Sequence, residues 1–290
     1  MIISITSGKG GTGKTLISTN LAAYLVRSGM EATYADADAE EPNGHLFLNP
    51  VIVREEPSNV TVPYFKVEEC SGCHACQKIC SFNAIINFGK KVTVFEDLCH
   101  GCGACVLACK ENSLGEKKRE TGKISYGNAG GINFISGRLN IGESRVTPLI
   151  EDVVKKSSAE SNDSLLIIDS PPGTSCSAMA AAHNCDLMIL VTEPTPFGLH
   201  DLKLAVEMGK ALNRKMAAII NRSDLGTDDT LKYLNKNNIE ILATIPFDKE
   251  IAVCGAKGRL AIDSSEQFKN EIASIAEHVV GLHIGKGGNK

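Results

Sequence analysis

The sequence predicts an α/β fold in which helices cover both faces of a mostly parallel sheet, with a small α+β module inserted. A glycine-rich loop joins an apolar strand to a helical pattern near the amino end, and further apolar strands alternate with helical segments towards the carboxyl end. Between these parts, eight of the eleven cysteines fall into two runs with the same spacing. A chain of 290 residues is long enough to bury one large core and to carry such a module.

The composition is that of an ordinary globular chain, with 43% hydrophobic residues, 22% charged residues and a formal net charge of −4. No dense run of lysine and arginine occurs, so we predict no nucleic-acid partner. The amino end lacks the pattern of a secretory signal, and no apolar run reaches about 18 residues. We therefore predict a cytoplasmic protein with no stable membrane anchor, whose cysteines are metal ligands or free thiols rather than disulfides.

The first functional motif is a loop at residues 8–15, which lies between the apolar run 2–6 and a helical pattern at 16–28. It matches the P-loop pattern G-x4-G-K-[ST], in which backbone N–H groups and a helix N-terminus bind phosphate. Lys14 is placed to reach the β and γ oxygens, and Thr15 to ligate Mg²⁺. We predict ATP and Mg²⁺ as cofactors, with these nucleotide-binding residues: Gly8, Gly10, Gly11, Thr12, Gly13, Lys14 and Thr15.

Acidic residues follow two further predicted strands. The apolar strand 165–168 leads to Asp169, and the strand 31–35 leads to Asp36 and Asp38. Ligands of open α/β sheets bind at the carboxyl ends of the strands. Asp169 is the first residue of the string D-S-P-P-G-T and fits the acid that holds Mg²⁺ through water, while the loop after it can sense the γ-phosphate.

Lys9 makes the loop the variant G-K-G-G-x-G-K-T. With D-S-P-P-G-T, the sequence resembles the MinD/Mrp superfamily of P-loop ATPases, a group with ParA and the nitrogenase iron protein, over nearly the whole chain. The resemblance implies slow, switch-type ATP hydrolysis by a homodimer in which Lys9 reaches the partner's phosphates; a surface lysine without this role is the alternative. It also implies that Asp38 positions the attacking water, Asp36 lies beside the Mg²⁺ and Asn221 binds adenine. The implied site residues are Lys9, Lys14 and Asp38 for catalysis and Thr15, Asp36 and Asp169 for Mg²⁺.

The two cysteine runs both have the spacing C-x2-C-x2-C-x3-C, typical of a ferredoxin with two [4Fe-4S] clusters in which the fourth cysteine of each run ligates the other run's cluster. Ser81 and Lys110 stand where ferredoxins usually have proline, which affects the local turn but removes no ligand. Two zinc sites are the competing interpretation, because four thiolates also suit Zn²⁺. The predicted first cluster uses Cys70, Cys73, Cys76 and Cys109, and the second uses Cys80, Cys99, Cys102 and Cys105.

Shifts in composition predict an ATPase domain in two parts, 1–61 and 122–290, with a ferredoxin domain inserted at 62–121. The insert lies between Asp38 and Asp169, next to the two loops that rearrange with the γ-phosphate. We therefore expect the nucleotide state to control how the module is presented. The alternative is that the module lies in a loop that tolerates insertions and that the nucleotide state does not affect it.

Two functions follow from this combination. The first is iron-sulfur or metal-cofactor assembly, in which the ATPase delivers a centre to a client apoprotein. The second is ATP-gated electron transfer to a redox partner protein, by analogy with the nitrogenase iron protein. The D-S-P-P-G-T string resembles the Mrp-like branch of the superfamily and favours assembly.

Overall fold

The computed structural model describes residues 1–66, 70–161 and 164–287. The chain divides into two compact units. Unit 1 comprises Met1–Glu55, Ile124–Arg138 and Ile150–Lys290, and unit 2 comprises Glu56–Lys123 and Leu139–Leu149. The domain boundaries expected at residues 62 and 121 fall inside two long strands and stay a prediction.

The described residues form eleven strands and ten α-helices, numbered in chain order. The strands are β1 (Ile2–Thr6), β2 (Ala32–Asp36), β3 (Val51–Phe65), β4 (Ile85–Phe88), β5 (Lys91–Val94), β6 (Leu114–Ala129), β7 (Ile132–Leu139), β8 (Leu165–Asp169), β9 (Leu187–Thr192), β10 (Lys215–Asn221) and β11 (Glu240–Ile245). The helices are α1 (Lys14–Arg27), α2 (Gly44–Leu48), α3 (Ala75–Ile79), α4 (Ala104–Leu107), α5 (Thr147–Glu160), α6 (Cys176–Ala182), α7 (Pro196–Ala211), α8 (Asp229–Lys236), α9 (Lys249–Ala256) and α10 (Glu266–Gly287).

The large sheet has the strand order β11-β10-β9-β1-β8-β2-β7-β6-β3. Every neighbouring pair from β11 to β7 is parallel. Alternate residues of β9 enter two different cores: Leu187 and Ile189 pack with α1 and α10, whereas Met188 and Leu190 pack with α6, α7 and α8. Helices therefore cover both faces of this sheet, and the predicted α/β fold is confirmed.

The register of the parallel strands brings the predicted nucleotide residues to one edge. Asp169 at the end of β8 is paired with Ile5 of β1 on one side and with Asp36 of β2 on the other. Since all three strands run in the same direction, the loops that follow them lie together at their carboxyl ends.

The final helix, α10, packs its apolar face on the first core. Phe268, Ile272, Ile275 and Val279 are each 1% exposed or less and belong to that core. Among the helices that the structure describes, none is long and apolar enough to cross a membrane.

Unit 2 contains the antiparallel hairpin β4–β5 and the short helices α3 and α4. Each of these helices begins after a left-handed residue at the equivalent place in a cysteine run, His74 (φ 59°) and Gly103 (φ 72°). The internal sequence repeat therefore also appears in the backbone.

Candidate functional site

The P-loop connects β1 to α1 in unit 1. Gly13 has φ 103°, and a Cβ atom there would lie 2.5 Å from Asn221 Nδ2, so both the backbone conformation and the space require glycine. Lys14 is the first residue of α1 and is buried. Burial lowers the pKa of Lys14, and the carboxylates of Asp169 and Asp38 oppose this shift. This loop therefore offers backbone N–H groups, a helix N-terminus and a buried amine to an anionic ligand.

Two buried carboxylates lie side by side beneath this loop. Asp36 is 0% exposed and Asp169 is 1% exposed. Burial raises the pKa of Asp169, and burial together with the charge of Asp169 raises the pKa of Asp36 well above its usual value. Asp169 Oδ1 has no hydrogen-bond partner among the described residues. This donor set fits Mg²⁺, because a divalent cation would offset the repulsion between the two acids.

Asp36 also shapes the loop that follows β2. Its Oδ2 accepts a hydrogen bond from Gly44 N at 2.8 Å, and its Oδ1 accepts one from Asp38 N at 3.3 Å. Burial raises the pKa of Asp38 to about 6, while nearby Lys14 lowers it. The structure thus brings Lys14, Asp36, Asp38 and Asp169 together; their individual roles remain predictions.

Tyr34 is a contributor to this site that the sequence interpretation missed. Its hydroxyl donates a hydrogen bond to Asp169 Oδ2 at 3.0 Å, and its ring stacks on Phe134 at a centroid distance of 5.7 Å. Tyr34 is fully buried. The period-two pattern of a strand places it on the same face of β2 as Asp36, and this spacing was the signal in the sequence.

Lys9 forms an ion pair within its own chain. Its Nζ lies 3.2 Å from Glu193 Oε2, and Glu193 Oε1 accepts a hydrogen bond from Arg222 Nη1 at 2.5 Å. Glu193 directly follows β9 and its side chain is only 11% exposed. Sequence reasoning also missed this acid, although its place at the carboxyl end of a strand was a signal.

Asn221, the last residue of β10, contacts the P-loop. Its Nδ2 donates to Thr12 O at 2.8 Å, and its Oδ1 accepts from Arg222 N at 3.0 Å. A primary amide has two N–H donors and two lone pairs, so one of each is left for a base edge. Adenine recognition by Asn221 stays a prediction.

The thiols of the predicted second cluster line one cavity in unit 2, with a volume of about 330 Å³ that includes its open mouth. Three of them belong to the second cysteine run and one closes the first run, which is the crossed arrangement that the spacing predicts. Gly101 N approaches Cys99 Sγ at 3.4 Å, and a Cβ at Gly101 would lie 2.8 Å from Thr61 O. The four cavity-lining cysteines are Cys80, Cys99, Cys102 and Cys105.

The thiols of the predicted first cluster are brought together in part. Cys70, Cys76 and Cys109 belong to one packed cluster, which also contains Cys105 of the predicted second set, whereas Cys73 is exposed. Burial raises the pKa of Cys76, and neighbouring Cys109 contributes in the same direction. The fourth cysteine of the second run therefore packs with the first run.

The donor chemistry of both sets fits iron-sulfur clusters, whose irons are held by cysteine thiolates. Burial raises the pKa of Cys99 and raises that of Cys105 to about 11, so metal binding must displace thiol protons. Within residues 1–66, 70–161 and 164–287, no three His, Cys, Asp or Glu side chains converge as ligands of a single ion. The binding of two [4Fe-4S] clusters by these cysteines therefore remains a prediction.

Comparison with known proteins settles the family. Residues 3–261 match the family described as the CobQ/CobB/MinD/ParA nucleotide binding domain. The chain belongs to this family. The predictions of a MinD/ParA-type P-loop NTPase and of an ATP hydrolase are thereby confirmed.

Relatives of this ATPase match over almost its full length. An uncharacterized protein of Methanocaldococcus jannaschii is 31% identical over 288 residues, which is 97% of this chain and 98% of that protein. The iron-sulfur cluster carrier protein of Aquifex aeolicus is 25% identical, with 96% of this chain and 68% of the relative aligned. The septum site-determining protein MinD of Pyrococcus horikoshii, solved with Mg-ADP, shares the fold at a TM-score of 0.57 and 21% identity, covering 97% of this chain and 98% of that one.

We expect Tyr34→Phe to weaken the binding of the Mg²⁺ that supports ATP hydrolysis, without unfolding the protein. The substitution removes only the hydroxyl that donates to Asp169 Oδ2, and one hydrogen bond to a charged group contributes about 1.5–3 kcal/mol. That range corresponds to roughly a tenfold to hundredfold rise in the Mg²⁺ concentration that gives half-maximal activity. Steady-state ATPase assays across a Mg²⁺ titration measure it.

Tyr24→Phe in α1 is the matched control, since it removes a tyrosine hydroxyl elsewhere in unit 1. Its Mg²⁺ dependence should equal that of the unaltered protein. Equal Mg²⁺ curves for Tyr34→Phe and Tyr24→Phe would show that Tyr34 does not position Asp169.

Proposed function

We propose that this ATPase is a cytoplasmic, Mg-ATP-dependent homodimeric switch, coupled to a module that holds two [4Fe-4S] clusters, in iron-sulfur or metal-cofactor assembly. The observation that carries the proposal is the cavity lined by four thiols from two separate cysteine runs, in a chain that also builds a P-loop site. The relative from Aquifex aeolicus is named an iron-sulfur cluster carrier protein, which supports the assembly role.

The nucleotide site supplies the switch. In this proposal the backbone N–H groups of residues 8–13 and the amine of Lys14 bind the phosphates, while Thr15, Asp36 and Asp169 hold Mg²⁺, which neutralises charge on the phosphates. Asp38 orients the attacking water. Slow hydrolysis suits a switch, because the bound state then lasts long enough for a partner to engage.

The homodimer requires Lys9 to change partners. In the single chain Lys9 is paired with Glu193, whose other oxygen is held by Arg222. Reaching a second subunit's phosphates breaks the contact with Glu193, so this ion pair opposes dimer formation until ATP offers a better anion.

The cysteine module supplies the cargo or the electron path. Its place in the chain, between Asp38 and Asp169, supports control by nucleotide state, since the loops containing these residues respond to the γ-phosphate. In the assembly function a client apoprotein receives the centre when that state changes.

Electron transfer to a redox partner protein is the second candidate. The burial of Cys76, Cys99 and Cys105, each 7% exposed, favours it, because clusters held by buried ligands are poorly suited to release. In this case ATP gates the contact with the partner, and the clusters stay in the protein.

We expect Glu193→Gln to strengthen ATP-dependent dimerisation by about 1.4- to fivefold for each subunit's Lys9, since the partly exposed ion pair that restrains Lys9 contributes about 0.2–1 kcal/mol. Light scattering after size-exclusion chromatography, with a non-hydrolysable ATP analogue, measures the dimer. Lys9→Ala should abolish dimerisation, and Glu31→Gln, which alters an exposed acid outside the site, should leave it unchanged. A dimer of unaltered strength in Glu193→Gln would contradict the restraint.

The crossed cluster ligation predicts an unusual pattern in paired cysteine variants. Cys80→Ser combined with Cys99→Ser should remove one cluster and leave the other intact, because both residues line the same cavity. If each run held its own cluster, this pair would damage both. Iron analysis and EPR of the reduced protein, reconstituted without oxygen, distinguish the outcomes, with Cys185→Ser, a buried cysteine outside the runs, as the control.

A transfer assay separates the two functions. Reconstituted protein is mixed with an apo-acceptor and with ATP, ADP or no nucleotide, and iron is measured in both proteins after separation. Assembly predicts iron loss that requires ATP and fails in Asp38→Asn. Retention of all iron, together with ATP-dependent reduction of a partner, would refute assembly and support electron transfer.

A further inference from the structure

A buried cluster of charged side chains lies in unit 2, outside the cysteine runs. Glu143 sits between two arginines: Arg119 Nη1 donates to its Oε2 at 2.5 Å, and Arg145 Nε donates to its Oε1 at 2.9 Å. The side chain of Glu143 is 4% exposed and that of Arg145 is 8% exposed. We call these three residues the arginine–glutamate cluster.

The arginine–glutamate cluster reaches the second set of cysteines directly. Arg145 Nη1 donates a hydrogen bond to the backbone carbonyl of Cys99, and Cys99 lines the four-thiol cavity. Arg145 also donates from Nη2 to Glu143 Oε2 at 3.1 Å, so its guanidinium is fixed by hydrogen bonds on two sides. A guanidinium held in this way keeps its positive charge in a fixed position.

The charge of the arginine–glutamate cluster is not balanced internally, because two arginines face one glutamate. The nearby acid Asp97 pairs with Arg119 at 2.6 Å, but its side chain is 89% exposed and its charge is screened by water. Glu96 pairs with Lys117 at 2.6 Å. When the exposed Asp97 is left out, the three residues of the arginine–glutamate cluster therefore carry one more positive than negative charge beside the Cys99 loop.

We propose that the arginine–glutamate cluster sets the reduction potential of the second [4Fe-4S] cluster selectively, with Arg145 as its positioning residue. This inference rests on the proposed two-cluster module. Reduction adds one electron, supplied in the assay by dithionite, and no bond forms or breaks. A nearby positive charge stabilises the more negative reduced form and raises the potential, and net charge is one of the factors by which proteins tune such clusters.

The first set of cysteines has different surroundings. Cys76, Cys70 and Cys109 pack with Ile85 and Leu114, and also with Cys105 of the second set. The arginine–glutamate cluster is bonded to the Cys99 loop instead. A change in its charge should therefore move the potential of one cluster and leave the other in place.

The test uses variants that change the charge in opposite directions. Arg145→Met removes the unbalanced positive charge and should lower the potential of the second cluster. Glu143→Gln removes the negative charge and should raise it. The double variant restores the original net charge and should return the potential close to that of the unaltered protein. EPR-monitored redox titrations of the full-length, reconstituted protein measure both clusters, and the signal absent from Cys102→Ser identifies the second.

A purely structural role predicts another pattern, because loosening the Cys99 loop would shift the potential in the same direction in both single variants. Shifts in the same direction in both single variants would overturn the proposal. Equal shifts of the two clusters, or no shift in either variant, would also overturn it. Arg145→Lys keeps the charge and should preserve the potential. If Arg145→Met fails to retain the second cluster, Arg119→Met is used instead. It removes the same charge from a less buried position and should also lower the potential of the second cluster.

Failure of the inference is distinguishable from failure of the proposed function. If the unaltered protein shows no pair of [4Fe-4S] signals after reconstitution, the two-cluster module is refuted. If both signals are present and the variants do not shift one of them in opposite directions, only the role of the arginine–glutamate cluster is refuted.

Discussion

The nucleotide site depends on two buried carboxylates that the sheet places side by side. Asp36 and Asp169 are direct neighbours in the register of β2 and β8, and neither is exposed to water beyond 1%. Water cannot screen their repulsion there, and the pKa values of both acids are raised. Tyr34, Lys14 and the backbone amides around them offset part of this cost. A divalent cation would offset the rest, which is the physical reason why this edge of the sheet suits Mg-ATP.

In the cysteine module, as in the nucleotide site, burial disfavours the charged form of the side chains predicted to bind metal. Buried thiols such as Cys99 and Cys105 resist ionisation, because burial raises their pKa values. Iron suits thiolates, whereas hard Mg²⁺ suits carboxylate oxygens, so in the proposed function the two sites would bind different metals without competing. In the proposed function, cluster binding would release the thiol protons and stabilise the fold of unit 2.

Sequence reasoning predicted the P-loop and the strand that leads to Asp169, because both are patterns of residues close together in the chain. The spacing of the cysteine runs is also a local pattern, and the clusters inferred from it stay a prediction. It did not find the long strands β3, β6 and β7, because β3 and β6 are rich in charged and polar residues and β3 contains Pro57 and Pro63, which weaken any strand pattern.

The sequence by itself determined the chemistry of each site, since ligand type and spacing along the chain identify a phosphate loop and two sets of thiolates. Only the tertiary structure decided which side chains support those sites. Tyr34 meets Asp169 across 135 residues of chain, and Arg145 meets Cys99 across 46. Such pairs depend on strand order and packing, and no pattern in the amino-acid sequence specifies which distant residues will meet.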